Sequence, residues 1–355
     1  MSFTSTPQME KPLPCIDNQD ASPFFKLPFE LRRAVYAQAF DLSACHLYSS
    51  ASNSDGTPRL RLASCVSPAA SHERDLDGSE RCPVKRTPDL YKWPLPSLIF
   101  KRRSRSSWGP HWMCEELVLH AQDLGEDLRE KRSALRSRAF SPTLRVCKRW
   151  CLDLIGEVTT TADFHVADLR TLESLLETAG LPVTEFGLGA LNCARINSLA
   201  ITLSQPLAFF EAIEKFCSTD TSSSFDSEHE SDIAFWTRLP SILPARLPCL
   251  RKLQIWLDHI GSEYWSVVNE REILGPLEAV ATSKSALELV WILPKVHPSI
   301  EDRQRHYLPG DEEQQGQSSS RLEIQRSLRQ RYRVFKKDRT GEEYMDSIQL
   351  DGAVE

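Results

Sequence analysis

Ten cysteines and nine histidines are the residues of this 355-residue chain best suited to chemistry. His111, Cys114 and His120 gather around a helix start, mixing imidazole and thiol donors as a borderline-soft metal such as zinc prefers. A closed zinc site takes four ligands, and no fourth lies at short spacing. Cys147 and Cys151 lie four apart on a predicted helix and share a face. No Cys-x-x-Cys pair occurs anywhere, so these two read as buried thiols. On this reading neither metal nor cofactor is expected.

Catalytic signatures are equally sparse. The chain has no Gly-x-Ser-x-Gly, no His-Glu-x-x-His, no phosphate-cradling loop and no Gly-x-Gly-x-x-Gly. Gly187-Leu188-Gly189 lacks both the third glycine and the preceding strand. Acids and histidines are scattered without the pairing that acid–base chemistry requires, so no catalytic residue is expected. The run Lys101-Arg102-Arg103-Ser104-Arg105, with Trp108 and Trp112 behind it, offers a nuclear-import signal or a stacking nucleic-acid contact. A solvated loop is the simpler account. Ser227, just before Glu228 and Glu230 in an acidic serine-rich stretch, invites phosphorylation, but again a solvated loop suffices.

Composition sets the frame. Hydrophobic residues make up 41% and charged residues 26%, globular values that support a core, while 22 prolines keep part of the chain out of it. The net charge of −6 is modest and argues against whole-molecule binding to nucleic acid or membrane. Residues 81–149 hold roughly 16 basic and 7 acidic side chains, leaving the remainder near −15. No basic stretch leads an apolar core at the N-terminus, and no long uncharged apolar window occurs. The expectation is an intracellular protein of the cytosol or nucleus, its cysteines reduced.

The elements that would position these residues follow from periodicity. Leu27-Pro28-Phe29-Glu30 opens a helix, with proline in the first turn and an acid behind it, and Leu31, Val35 and Ala39 continue it at helical spacing. Leu117, Ala121, Leu124, Leu128 and Leu135 predict an amphipathic helix over 113–137. Another should start at Ser141-Pro142 and run through Val146, Cys147, Trp150 and Leu154. Residues 163–166 read as a strand and 167–179 as a helix. Ile196-x-x-Leu199-x-Ile201-x-Leu203, Leu250-x-x-Leu253-x-Ile255-x-Leu257 and Leu287-x-Leu289-x-Trp291-x-Leu293 form a degenerate repeat of period-2 strand formers. Helical segments at 207–217, 233–243 and 267–281 lie between these runs, which predicts β-α units feeding one sheet, with parallel pairing.

Phe25-Lys26-Leu27-Pro28-Phe29-Glu30-Leu31-Arg32-Arg33-Ala34-Val35-Tyr36 resembles the opening of an F-box. It is similar, more closely, to a large group of uncharacterised fungal proteins that begin Leu-Pro-x-Glu-Ile-Arg-x-x-Ile-Tyr. Leu144-Arg145-Val146-Cys147-Lys148-Arg149-Trp150 resembles their second element and the Val-Cys-Lys-x-Trp end of an F-box. Asp163-Phe164-His165-Val166 and Leu250–Leu257 resemble their later strands, so the likeness spans roughly residues 24–294. In an F-box the two halves are close in sequence, whereas more than 100 residues separate Pro28 from Val146 here. Either a split F-box carries a long insert, or the first helix belongs to a larger domain.

The resemblance implies a protein–protein interaction role, as substrate-recruiting subunit of a cullin-type ubiquitin ligase. Leu27, Pro28, Leu31, Val35, Tyr36, Val146, Cys147 and Trp150 would then hold the F-box-binding adaptor, and the strand-rich region an unknown substrate protein. The alternatives are a stand-alone binding module whose F-box-like helix is core, and a nucleic-acid-associated protein. The expected fold is mixed α/β (α+β): disordered residues 1–22, an F-box-like first helix at 23–43, a flexible insert at 44–110 and helices at 111–160. A β-α sheet region at 161–297, with an acidic loop at 218–232, precedes a polar and basic tail at 298–355 with a helix at 321–337.

Overall fold

The computed structural model describes residues 19, 22–40, 43–50, 59–66, 106–119, 147–178, 192–218, 230–260, 265–283, 286–296, 300–308, 321–327, 330–337 and 343–350. Two helices open the fold, α1 (Pro23–Lys26) and α2 (Phe29–Ala39), followed by the strands β1 (Ala44–Ser50) and β2 (Arg59–Ser64). A 3-10 turn (Gly109–His111) runs into α3 (Trp112–Leu119). Then come α4 (Lys148–Thr161), β3 (Asp163–Val166), α5 (Leu169–Thr178), β4 (Ser198–Pro206), α6 (Leu207–Ser218) and α7 (Glu230–Arg246). The chain continues through β5 (Lys252–Ile260), α8 (Glu270–Ser283), β6 (Glu288–Pro294), β7 (Arg321–Ser327), β8 (Gln330–Lys337) and β9 (Glu343–Leu350).

One seven-stranded mixed sheet organises the molecule, in the order β2-β1-β3-β4-β5-β6-β7. Every neighbouring pair from β1 to β7 is parallel, and β2 closes the edge antiparallel to β1. Strands β8 and β9 pair separately as an antiparallel hairpin. The fold is thus the expected mixed α/β class, and the three repeated strand runs are β4, β5 and β6.

Register explains why the sheet has two unlike faces. Side chains alternate along a strand, and paired residues Cys45, Phe164, Leu199, Leu253, Leu289 and Leu322 fall in one row across six strands. Leu47, Val166, Ile201, Ile255, Trp291 and Ile324 form the next row of the same face. These rows pack with Leu172, Phe209, Trp236, Leu239 and Leu274 of the helices in a single core. Parallel strands added in one direction through right-handed crossovers bring their helices to one face. Each large apolar side chain buried there contributes about 1.5–3 kcal/mol.

The intervening residues form a more polar second face, with His46, His165, Ala200, Gln254, Val290 and Glu323 in its matching row. The segment 106–119 lies against it: Trp108 stacks on His46 with ring centroids 4.9 Å apart, and Gly109 meets Trp256. A Cβ at Gly109 would come within 2.7 Å of the Trp256 ring, and its φ of +53° is a conformation that side chains rarely adopt. Only glycine lets the chain lie this close.

Three expectations are corrected. The helix expected to run from Ser141-Pro142 through Cys147 and Trp150 starts at Lys148 instead, with Cys147 extended as its N-cap, while residues 141–146 lie outside the described residues. The helix over 321–337 is replaced by β7 and β8, because Leu322, Ile324 and Arg326 alternate to one side of an edge strand, a period of two. The flexible insert at 44–110 contains β1, β2 and the turn at 109–111. Its serine- and proline-rich composition hid two short strands. The helix expected over 113–137 is described as far as Leu119; its remainder, the disordered lead-in apart from Gln19 and Ser22, and most of the acidic loop lie outside the described residues.

A buried ionic knot fastens β7 to the helical layer. The carboxylate of Glu270, fully buried at the start of α8, accepts two parallel hydrogen bonds from the Arg326 guanidinium, each 2.6 Å. It also accepts from Trp265 Nε1 at 2.6 Å and from the Tyr307 N–H at 3.0 Å. Arg326 completes its shell on the carbonyls of Pro294 and Tyr307. Such a fork–fork pair is the strong form of a charge-assisted hydrogen bond.

Candidate functional site

On the polar face, at the β1–β2 edge, four donors converge. His46 comes from β1 and Cys65 from just past β2; the register sets His46 opposite Ala63, so Cys65, two residues on, shares its face. Cys65 is held there by its N–H donating to the Ala44 carbonyl at 2.9 Å. His111 ends the 3-10 turn and Cys114 stands one turn later on α3, so both project to one side. One ligand atom from each of the four residues lies within 4.8 Å of all the others.

The geometry inside the cluster is tight. Cys65 Sγ is 3.8 Å from Cys114 Sγ and 3.4 Å from His111 Nδ1, and the Val66 N–H donates to Cys114 Sγ at 3.4 Å. His46 and His111 sit edge to face with centroids 4.6 Å apart, and His165 packs 4.3 Å from His111. His46 is 2% and Cys114 1% exposed. The hydrogen bond from Cys65 holds the Cys114 thiol well below its ordinary value, against burial, which pushes it up; His111 and His46 add to the lowering. The thiolate is the form in which cysteine binds metals.

Glu115 anchors the turn that presents His111. Its carboxylate accepts from Ser106 Oγ, from Ser107 Oγ at 2.6 Å, and from the backbone N–H groups of Ser107 and Trp108 at 3.4 Å. The His111 N–H then donates to the Trp108 carbonyl at 3.0 Å, which fixes the imidazole over the sheet.

The second feature lies at the N-terminus, where the two stretches that resemble an F-box come together. Arg32 of α2 pairs with Asp153 of α4 at 2.9 Å, and Arg33 with Glu157 at 2.6 Å. Tyr36, fully buried, packs edge to face on Trp150 with centroids 5.0 Å apart, and Phe24 closes on Trp150 at 4.9 Å. Cys147 is the N-cap of α4, its sulfur accepting from the Trp150 N–H at 3.3 Å. Burial, followed by the Asp153 charge, pushes the Tyr36 phenol up. Leu27 is half-buried and Pro28 exposed, whereas Leu31 at 52%, Val35 at 40% and Phe29 at 43% are open to solvent. Val146 lies outside the described residues.

Residues 17–96 match the family model of a domain of unknown function, DUF7730.

No curated protein and no solved structure matches the chain. The matched domain takes in α1, α2, β1 and β2, hence the opening helix with its exposed leucine and valine, and two of the four convergent donors, His46 and Cys65. Its partners His111 and Cys114 come from beyond it, as do Trp150 and Asp153.

Sequence reading singled out two of the four donors but expected no metal at them. His111 and Cys114 stood out by their spacing, while His120, grouped with them, lies outside the described residues. His46 and Cys65 were missed, since no short-range spacing links either to 111–114; they become neighbours only through the hairpin register. A clue was present in the alternation of Leu60, Leu62 and Ser64 with Arg59, Arg61 and Ala63, which predicts a strand ending at Cys65. Cys147 and Cys151 fall elsewhere, with Cys151 in the core beside Leu154 and Ile155. Gly187–Gly189, Lys101–Arg105 and Ser227 lie outside the described residues. No described helix is long and apolar enough to cross a membrane.

Proposed function

We propose that this chain is a protein–protein interaction subunit whose N-terminal F-box-like element holds the adaptor of a cullin-type ubiquitin ligase, in the cytosol or nucleus, without catalysis of its own. The observation that carries the reading is the division of labour on α2. Arg32 and Tyr36 lock the helix to α4, while Phe29, Leu31 and Val35 are left exposed. Leu31 and Val35 are four residues apart and form one stripe, the arrangement by which a helix docks on a partner's helices. Cys147 and Trp150, which the resemblance also assigns to adaptor binding, serve on this reading to hold α4 against α2. The sheet region would receive the protein to be recruited.

The test is co-purification of the full chain with its host's F-box-binding adaptor, beside a Leu31→Asp/Val35→Asp variant. Both positions are exposed, so the variant should keep its unfolding midpoint, with stability within about 0.5 kcal/mol. A stoichiometric complex that the variant loses supports the reading. A wild-type chain that binds no adaptor overturns it and favours a stand-alone binding module. Nucleic-acid association would instead appear as binding that falls steeply with salt.

A further inference from the structure

We infer that His46, Cys65, His111 and Cys114 form a structural zinc site that staples the segment 106–119 to the edge of the sheet. The inference is independent of the adaptor reading. Four donors of the two kinds that zinc favours meet from separate places in the chain. With zinc–sulfur bonds of about 2.3 Å and zinc–nitrogen bonds of about 2.0–2.1 Å, a tetrahedron has sulfur–sulfur edges of about 3.8 Å and sulfur–nitrogen edges of about 3.6 Å. The corresponding separations here are 3.8 Å for Cys65–Cys114 and 3.4 Å for Cys65–His111. A disulfide between the same cysteines would need sulfurs about 2.05 Å apart.

The hydrogen bonding of two buried histidines points the same way. His306 uses both ring nitrogens: Nδ1 accepts from the Asp302 N–H at 3.1 Å, and Nε2 donates to the Ser266 carbonyl at 3.1 Å. His46, as deeply buried, leaves Nε2 without a hydrogen-bond partner among the described residues. Most buried polar atoms find a partner, and an orphan beside four converging donors is accounted for by an ion or a water. Two thiolates and two neutral imidazoles around one dication make a neutral assembly, so its burial leaves no net charge behind. Four protein ligands leave no open coordination position, which is the pattern of a structural rather than a catalytic site. Soft thiolates with imidazoles select zinc over magnesium or calcium. The Glu115 brace on residues 106–108 acts one step further out, setting the turn from which His111 reaches the metal.

The ion would close the chain between Cys65 and His111, returning it to the sheet edge where β2 leaves it. Zn2+ content is measured on the full chain purified without chelator, and Co2+ then replaces zinc as a spectroscopic probe. The expected result is one equivalent of zinc per chain. Cobalt should give the visible bands of a tetrahedral ion together with thiolate-to-cobalt charge transfer. Cys65→Ser/Cys114→Ser should weaken binding far more than about tenfold, His111→Cys should keep the metal with stronger charge transfer, and Cys217→Ser, at an exposed thiol, should change nothing. Octahedral cobalt on the wild-type chain, charge transfer that survives the double substitution, or a Cys65–Cys114 disulfide in metal-loaded protein would overturn the assignment. Should the double variant fail to fold, the wild-type titration and His111→Cys decide it.

Discussion

Glu270 with Arg326 and the quartet His46, Cys65, His111, Cys114 are both buried polar clusters, and they solve the problem of burial in opposite ways. In the first, charge and hydrogen bonds close entirely within the chain: a carboxylate, a guanidinium, an indole and a backbone amide share four bonds of 2.6–3.0 Å. In the second, the contacts are long ones through sulfur, Cys65 with Cys114 at 3.8 Å and with His111 at 3.4 Å, and His46 Nε2 has no hydrogen-bond partner among the described residues. A self-sufficient cluster and a cluster rich in unshared donor atoms can both be buried. What separates them is whether positive charge is already in place. The knot carries its cation on Arg326, whereas the quartet is completed by a cation from outside.

The comparison breaks most visibly at the knot. Glu270→Ala leaves the Arg326 guanidinium buried and unpaired and should cost about 3–5 kcal/mol in denaturant unfolding, while a Glu270→Leu/Arg326→Leu pair should recover much of that loss. A double variant no better than the single would show that the hydrogen bonds to Trp265 and Tyr307, rather than the charge pair, matter most.

The quartet should respond to chelation instead. With free zinc at a hundred times its dissociation constant, the metal adds about 2.7 kcal/mol by mass action. Chelator should therefore lower the melting temperature of the wild-type chain and leave Cys65→Ser/Cys114→Ser unmoved. Glu270→Ala, by contrast, should remain sensitive to chelator, since its lesion lies elsewhere.

Gly109→Ala tests the approach of the quartet's segment to the sheet. The positive φ and the Trp256 ring together should cost about 1–3 kcal/mol, with weaker metal binding and no change at the knot. A variant of wild-type stability would mean that the 106–119 segment moves away from Trp256 without consequence.

The smallest effect is read on the alkaline side of the stability curve, at the Tyr307 of the knot and at Tyr36. Burial, then the Glu278 charge, raises the Tyr307 phenol above its ordinary value of 10.0, as burial and then Asp153 raise Tyr36. A raised phenol keeps its proton longer in the folded state, so its stabilisation is complete below pH 10 and declines as pH climbs beyond it. Each phenol should contribute up to about 1.4 kcal/mol per pH unit to that decline. Phenolate absorbance from these two tyrosines should appear only with unfolding, and Tyr307→Phe should flatten the alkaline limb. Titration of both before the fold is lost would contradict their burial.

Legibility followed the range of the interactions. Period-2 runs at 196–203, 250–257 and 287–293 announced β4, β5 and β6, because alternation is a local property of a strand with one apolar face. Asp163–Val166 was readable for the same reason. The segment 321–337 misled because its apolar residues Leu322, Leu328, Val334 and Phe335 are too sparse to choose a period alone; pairing of Leu322 with Leu289 and of Ile324 with Trp291 made the choice. At the N-terminus the opening helix was evident, but which of its side chains are core was not. Tyr36 and Arg32 turn inward only because α4 lies there.

By itself, the sequence determined the class of the fold, the strands β3 to β6 with the helices between them, and the placement of a helix at Pro28 and a helix start near His111, since each depends on neighbours a few residues away. Tertiary structure alone decided which distant residues meet. Cys65 reaches Cys114 across 49 positions and Tyr36 reaches Asp153 across 117, through a hairpin register and a helix pairing that no local spacing encodes. Convergence of donors is a property of three-dimensional packing, and here packing assembles a four-ligand site from two pairs that the chain keeps far apart.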